Sequence, residues 1–184
     1  MSLRLPAVLL SASFACTAPS LGGIISTHEI GSGTHSASIQ IDQQDGDGYL
    51  FTVHWDAVGY TSWDALIDID ESMTSVSLQY DTFSWGVFLT GITIDGDTDF
   101  GVGDQWPIEN YWHFWVRDSG AWEQASFGAS DRMLFDGAQD AWVFGSGATP
   151  QAVPAPPALA LMLGAAGACR GSRRRDRTRA SQGR

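Results

Sequence analysis

Alternating apolar and polar positions dominate the middle of the chain and predict a series of strands. The first alternation runs through Ala37, Ile39 and Ile41, as expected for a strand buried on one face. The turn cluster 45–48 (Asp-Gly-Asp-Gly) separates it from a second strand, so a hairpin is predicted. The same reasoning predicts further strands over ranges 76–80, 86–94, 111–116, 121–127, 133–135 and 141–144.

One segment, residues 62–73, has helical rather than strand spacing. Trp63 and Leu66 fall near one face of the predicted helix. Ser62 can cap its N-terminus, and Asp64 suits the positive end of the helix dipole. One helix among many strands predicts an α+β fold that is mostly β.

The first 18 residues have the three parts of a secretory signal peptide. Arg4 gives a positive start, residues 5–15 are apolar but too short to span a bilayer, and small residues follow up to Ala18. The alternative, a buried first strand or helix, suits Pro6 and the Ser/Thr/Ala-rich exit poorly. We therefore expect export through the Sec translocon and cleavage by signal peptidase.

The C-terminal end has its own three-part pattern. A Pro-rich linker over 150–157 is followed by a hydrophobic segment over 158–172 and an Arg-rich tail over 173–184. An apolar segment closed by arginines is expected to stop in the membrane with the tail in the cytoplasm. The alternative is a disordered basic tail. Between the two ends, residues 21–149 are predicted to form one globular ectodomain.

This C-terminal pattern resembles the PEP-CTERM sorting signals of exported bacterial proteins. The resemblance implies recognition by an exosortase, cleavage near the Pro-rich motif, and release or attachment at the cell surface. Ala155 stands where that family usually has Glu. The residues that carry the resemblance are Val153, Pro154, Ala155, Pro156, Arg173, Arg174 and Arg175.

The charge, lysine and cysteine contents exclude several classes of function. Within the predicted ectodomain two arginines face twenty carboxylates, a formal charge near −18, so nucleic acid is not an expected partner. The chain has no lysine, which excludes Schiff-base chemistry. Its two cysteines, Cys16 and Cys169, lie in the terminal segments, so the ectodomain has neither a disulfide nor a thiolate site.

The order of elements in the ectodomain resembles the transcobalamin/intrinsic-factor C-terminal-like domain of secreted proteins. The resemblance implies a small β-grasp-like fold, which in the vertebrate proteins caps one side of a corrinoid ligand. The helical domain that completes that ligand site has no counterpart in this chain. The matching segments are 62–66, 88–92, 111–112, 120–122, 134–137 and 142–144.

An acidic, Gly-rich loop follows the strand 86–94. Its carboxylates recur at every second residue, and Ca²⁺ takes oxygen ligands in flexible loops. The loop lacks the Gly and Glu that an EF-hand requires at its sixth and twelfth positions. A bound Ca²⁺ and a solvated acidic loop therefore remain two alternatives, and no other cofactor is expected. The candidate ligands are Asp95, Asp97, Asp99 and Asp104.

The aromatic strand 111–116 is the candidate ligand-binding surface. Alternation places Tyr111, His113 and Trp115 on one face and Trp112 and Phe114 on the other. An exposed aromatic face could bind carbohydrate, with Tyr111, Trp112 and Trp115 as contact residues and an extracellular polysaccharide as partner. The alternative is that both faces pack inside the protein.

Three functions follow, in order of preference. The first is a non-enzymatic, ligand-binding component of the cell surface or extracellular matrix. The second is a Ca²⁺-stabilised carbohydrate-binding or adhesion module, and the third is a secreted hydrolase. The sequence has no closely spaced histidines for zinc and no Gly-x-Ser-x-Gly elbow for a serine nucleophile.

Overall fold

The fold is β-rich, with two sheets and a single helix in the described part. A computed structural model describes residues 23–105, 109–145 and 147–153. The elements are β1 (Gly23–Gly31), β2 (His35–Asp42), β3 (Asp47–Trp55), α1 (Ser62–Ser72), β4 (Val76–Phe83), β5 (Gly86–Ile94), β6 (Asp97–Phe100), β7 (Trp112–Arg117), β8 (Glu123–Gln124) and β9 (Gln139–Phe144). The predicted α+β, mostly β class is confirmed. The predicted signal peptide, hydrophobic segment and Arg-rich tail lie outside the described residues.

The larger sheet has the strand order β1-β3-β2-β9-β7-β8. The predicted hairpin is present, since β2 and β3 pair antiparallel with Ile39 opposite Phe51. Strand β1 was not predicted and pairs parallel to β3. Strand β2 also pairs parallel to β9, so the sheet is mixed.

Two glycines allow the chain to cross from β1 to β2 over the end of β3. A Cβ atom on Gly31 would lie 2.6 Å from the carbonyl oxygen of His54, and one on Gly33 would lie 2.2 Å from the backbone of Trp55. Distances this short are forbidden to real side chains. The Gly-Ser-Gly sequence therefore serves a close backbone crossing.

The smaller sheet, in the order β4-β5-β6, corrects the predicted acidic loop. Asp95 and Gly96 have φ angles of 52° and 96°, the paired positive values of a tight hairpin turn. The chain then continues as β6. Gly91 lies beside a register shift in the β4–β5 pair, and a Cβ there would lie 3.2 Å from Phe100. The predicted bulge and close approach are both present.

Helix α1 begins at Ser62, as predicted, but its N-cap is the residue before Ser62. Thr61 is the N-cap: its hydroxyl accepts from the backbone N–H of Asp64, and the Asp64 carboxylate accepts from the N–H of Thr61. This reciprocal pair is a capping box. Ser62 is instead fully buried, and its hydroxyl donates to Asp140 across 2.6 Å.

One apolar core fills the space between the helix and the two sheets. Ile39, Phe51 and Leu66 have no solvent exposure and belong to the same cluster as Ile92 of the smaller sheet. The predicted strand 121–127 is reduced to β8, and residues 133–135 form no strand beyond a bridge from Met133 to Thr61. In the ranges described, no helix is long and apolar enough to cross a membrane.

Candidate ligand-binding cleft

The larger sheet has an inner face against α1 and an outer face that turns away from it. Alternation in β2 sends Ile39 inward, so Ser38 and Gln40 lie on the outer face. Pairing aligns Ser38 with Gln139 of β9, and Gln139 with Arg117 of β7. The outer face therefore collects polar side chains from three adjacent strands.

A cleft of about 130 Å³ opens on this outer face. It is close in size to an engineered apolar cavity of roughly 150 Å³ that accepts one benzene ring. Both polar and apolar side chains line the cleft. The lining residues are Ser38, Gln40, Leu50, Arg117, Trp122, Gln139, Asp140 and Val153.

Arg117 is held in a fixed orientation at the edge of the cleft. Its Nε donates to Gln139 Oε1 across 2.6 Å, and its Nη2 donates to the same oxygen. The guanidinium carbon lies 4.5 Å from the ring centroid of Trp122, a cation–π distance. Trp122 in turn packs against a small cluster that includes Trp115 and Ala141. Stacking and hydrogen bonding together immobilise the planar cation.

No carboxylate of the described residues lies within salt-bridge distance of Arg117. A guanidinium has five N–H donors, and the contacts with Gln139 use two of them. Three donors of a half-buried, oriented cation therefore remain for a ligand.

Gln40 lines the cleft and has a buried amide oxygen. Its side chain is 1% exposed, and its Nε2 donates to the Asp42 carboxylate across 2.9 and 3.0 Å. Its Oε1 has no hydrogen-bond partner among the residues that the structure describes. A buried acceptor left unpaired is costly, so this oxygen favours a ligand that donates a hydrogen bond.

The C-terminal strap, residues 147–153, lies along the same face. The backbone N–H of Gln151 donates to Asp42 across 2.7 Å, and the Gln151 amide donates to the carbonyl of Gly46 across 2.8 Å. Burial raises the pKa of Asp42, while the bonds from Gln151 and Gln40 lower it in part. The strap brings Val153, one of the predicted sorting residues, into the cleft wall. The other six lie outside the described residues.

Arg132, the second ectodomain arginine, has a different setting. It is 8% exposed and donates to Asp140 across 3.1 Å and to Asp118. Asp140 is fully buried and also accepts from Ser62. These contacts join the start of α1, the loop before β9 and β9 itself, so Arg132 is a structural ion-pair residue.

The predicted aromatic binding residues lie at and just before β7. Trp112 and Trp115 are 5% and 7% exposed, the first facing the core and the second the outer face. Tyr111 precedes the strand, and its ring lies 4.1 Å from His113. Burial lowers the pKa of His113. Trp112 and Trp115 are buried and Tyr111 is half-buried, whereas the indole that lines the cleft is Trp122. A role of the three predicted residues in ligand binding stays a prediction.

The four predicted calcium ligands are not gathered into one group. Asp95 and Asp97 belong to the β5–β6 hairpin, whereas Asp104 follows it. Asp99 accepts from the backbone N–H of Gln44 across 2.8 Å, and burial, with smaller contributions from nearby carboxylates, raises its pKa. Across the described ranges, no three His, Cys, Asp or Glu side chains are arranged to hold a metal ion. The calcium site stays a prediction.

Comparison with known proteins gives likenesses of fold at low identity. No protein-family model and no curated protein match the chain. A crystal structure of haptocorrin in complex with Cbi matches 61% of this chain and 25% of its own, at 16% identity and a TM-score of 0.44. A putative metal binding protein from Ruminococcus gnavus matches 62% of this chain and 99% of its own, at 17% identity and a TM-score of 0.40.

Haptocorrin belongs to the transcobalamin family. The match spans about a quarter of the haptocorrin chain. At such TM-scores neither likeness assigns a ligand to this chain. The PEP-CTERM resemblance has no counterpart in these comparisons and stays a prediction.

Sequence reasoning did not select the residues that form the cleft. Two signals were nevertheless available. Arg117 is one of two cations in the ectodomain, and the alternation of β7 places it on the face of His113 and Trp115. The contributions of Gln40, Trp122 and Gln139 depend on strand order, which alternation does not specify.

Proposed function

We propose that this chain is an exported, non-enzymatic ligand-binding protein that a sorting tail retains at the cell surface. The observation that carries the binding role is the outer-face cleft. There, Trp122 and Gln139 fix the guanidinium of Arg117, and the lining residue Gln40 has a buried amide oxygen without a hydrogen-bond partner among the described residues. A few oriented polar groups beside apolar walls are typical of small-ligand sites.

The small number of acidic residues that line the cleft favours binding over hydrolysis. Glycoside hydrolysis commonly needs two carboxyl groups on opposite sides of the scissile bond. Asp140 is the acidic residue among those that line the cleft, and its carboxylate is already bound by Ser62 and Arg132. A sugar or related small molecule would be held in the cleft without being cleaved.

The terminal segments support export. The first 18 residues have the layout of a signal peptide, and both cysteines fall in the terminal segments. A domain without cysteine folds in an oxidising compartment without the risk of wrong disulfides. The Pro-rich linker and Arg-rich tail resemble a sorting signal, so an exosortase is the proposed processing enzyme.

Thermal melting of the full chain tests the binding role. We expect a rise in Tm with at least one of galactose, glucose and galacturonate at about 10 mM, because a ligand that binds the folded state stabilises it. The matched control is Trp122→Leu, which removes the ring that orients Arg117 and should reduce the rise. An unchanged Tm with all three sugars would contradict the proposed site.

Processing of the chain tests the export role. Expressed in a bacterium with an exosortase, the protein should reach the cell surface or medium without its first 18 residues and its Arg-rich tail. A matched strain without the exosortase should keep the tail attached. Intact mass spectrometry gives both results, and a cytosolic product that retains Met1 and Arg184 would refute export.

A further inference from the structure

We infer that the outer-face cleft selects ligands with a carboxylate and a neighbouring hydroxyl, as in a uronic acid. This inference rests on the proposed function and specifies the chemistry of the same site. Its basis is the pairing, within one small cleft, of an oriented cation without an acidic partner and a buried acceptor without a donor.

The carboxylate preference follows from the geometry of Arg117. A planar guanidinium matches a carboxylate with two parallel N–H···O bonds. Stacking on Trp122 and the bonds to Gln139 already fix the plane, so little side-chain freedom is lost when a ligand binds.

The ectodomain is strongly acidic, so an arginine without a salt bridge is unexpected in it. The ectodomain contains twenty carboxylates and two arginines. Among the described residues, two of those carboxylates form salt bridges with Arg132 and none forms one with Arg117. Gln139, a neutral side chain, takes the position where an acidic partner would neutralise the cation. The guanidinium therefore keeps its charge for an external anion.

The hydroxyl preference follows from Gln40 and Ser38. The Gln40 amide nitrogen is committed to Asp42 and to the carbonyl of Gln151, which fixes the amide so that its oxygen is the free atom. That oxygen accepts and cannot donate. Ser38, which also lines the cleft, can accept or donate. A ligand hydroxyl can satisfy the oxygen of Gln40.

The apolar wall sets the size of the ligand. Leu50 and Val153 are the aliphatic residues that line the cleft, and its volume of about 130 Å³ is close to that of a cavity that holds one benzene ring. Because a uronic acid is larger than benzene, the cleft would hold the edge of the sugar that bears the carboxylate and leave the rest of the ring in solvent. The ring can be free or can belong to an acidic polysaccharide.

Calorimetric titration of the full chain tests the carboxylate preference. The probes are galacturonate and galactose, which share their ring hydroxyls and differ at C6, where a carboxylate replaces a hydroxymethyl group. We expect galacturonate to bind at least about tenfold more tightly, the factor that 1.4 kcal/mol represents. Arg117→Gln should remove this advantage, and Arg117→Lys should keep part of it, because the charge remains but the planar fork is lost.

The outcomes separate this inference from the proposed function. Equal affinity for the two sugars would overturn the carboxylate preference and leave a ligand-binding cleft in place. Absence of binding by both would overturn both statements. An unchanged preference in folded Arg117→Gln, as judged by its Tm, would also overturn the inference. Should Arg117→Gln fail to fold, Arg117→Lys is titrated in its place. An undiminished preference for galacturonate in Arg117→Lys would then overturn the inference.

A second titration identifies the source of the ring. If the natural ligand is a polysaccharide, polygalacturonate should bind more tightly per uronate unit than the monomer, since neighbouring units rebind. If it is a free acid, the monomer should bind at least as well. Either result retains the carboxylate preference, and failure of both acidic probes to bind overturns it.

Discussion

The two faces of the larger sheet use the same alternation for opposite purposes. The inner face buries large apolar side chains against α1 and the smaller sheet and includes residues with no solvent exposure, such as Ile39 and Phe51. The outer face carries amides, a serine and an arginine around an open cleft. Stability is thus concentrated on one face, and the groups suited to recognition lie on the other.

The two ectodomain arginines repeat this difference. Arg132 is enclosed by two carboxylates and ties three segments together. Arg117 is held by a neutral amide and an indole, which orient it without neutralising it. The comparison shows that the partners of a cation, more than its burial alone, distinguish a structural arginine from one available to a ligand.

The largest contrast is expected between two neighbours in β3, Phe51 and Leu50. Phe51 faces the core with no exposure, whereas Leu50 is half-buried on the outer face. Phe51→Ala should lower the free energy of unfolding by about 3–5 kcal/mol, and Leu50→Ala by about 1 kcal/mol. Urea denaturation measures both, and equal losses would refute the division between the faces.

The two arginines should differ almost as much. Arg132→Ala leaves Asp140 buried without its cation, and breaking such a pair costs roughly 3–5 kcal/mol. Arg117→Gln leaves no carboxylate unpaired and should cost less than about 1 kcal/mol. Denaturant unfolding of both variants provides the measurement. A large loss in Arg117→Gln would show that this side chain is structural.

A smaller effect is expected from pH at the outer face. Because burial raises the pKa of Asp42 above its ordinary 3.8, the folded state binds a proton more readily there than the unfolded state does. This contribution to stability is fully present below pH 3.8 and is lost as the pH rises through the raised pKa. Its slope is at most about 1.4 kcal/mol per pH unit for one proton.

Thermal unfolding of the Asp42→Asn variant isolates this effect. As the medium is acidified from the raised pKa of Asp42 towards pH 3.8, this carboxyl should increasingly stabilise the parent protein, and the variant should gain less because it lacks that titrating group. The difference between the two slopes is the readout. Parallel pH profiles would mean that Asp42 titrates alike in the folded and unfolded chains.

The smallest expected effect is that of calcium on the β5–β6 hairpin. Since its carboxylates are not gathered into one group, Ca²⁺ at about 1 mM should change Tm by less than about 1 °C. Binding with an extracellular-type affinity near 0.1 mM would add about 1.4 kcal/mol. Such a rise, abolished in Asp99→Asn, would establish the predicted calcium site.

Local sequence signals predicted local structure well. The alternation through Ile39 and Ile41 and the glycine at position 91 each predicted a feature that the structure contains, and the start of α1 was predicted correctly although its cap is Thr61 and not Ser62. The failures have physical causes. Strand β1 pairs in parallel with β3, a distant segment, and no turn signal marks such a pairing. The acidic stretch was predicted to be a loop because charge suggests solvent, yet Asp95 and Gly96 form a tight turn between strands.

The candidate site was harder to predict, because its residues are assembled by strand order. Arg117 and Gln139 are 22 residues apart in sequence, and the strap that completes the cleft arrives from position 147 onward. The density of aromatic residues indicated Trp112 and Trp115, which are buried in two different clusters, the first in the core and the second on the outer face. Trp122 falls in the predicted strand 121–127, which the structure reduces to β8, so alternation did not predict its position beside Arg117.

One NMR measurement tests most directly the claim that the outer face is the recognition surface. In ¹H–¹⁵N spectra of the full chain, assigned with Arg117→Gln, the Nε–H signal of Arg117 should shift as galacturonate is added. The Nε–H signal of Arg132, enclosed by its two carboxylates, should remain in place. A stationary Arg117 signal in excess galacturonate, or equal shifts of both signals, would contradict the account.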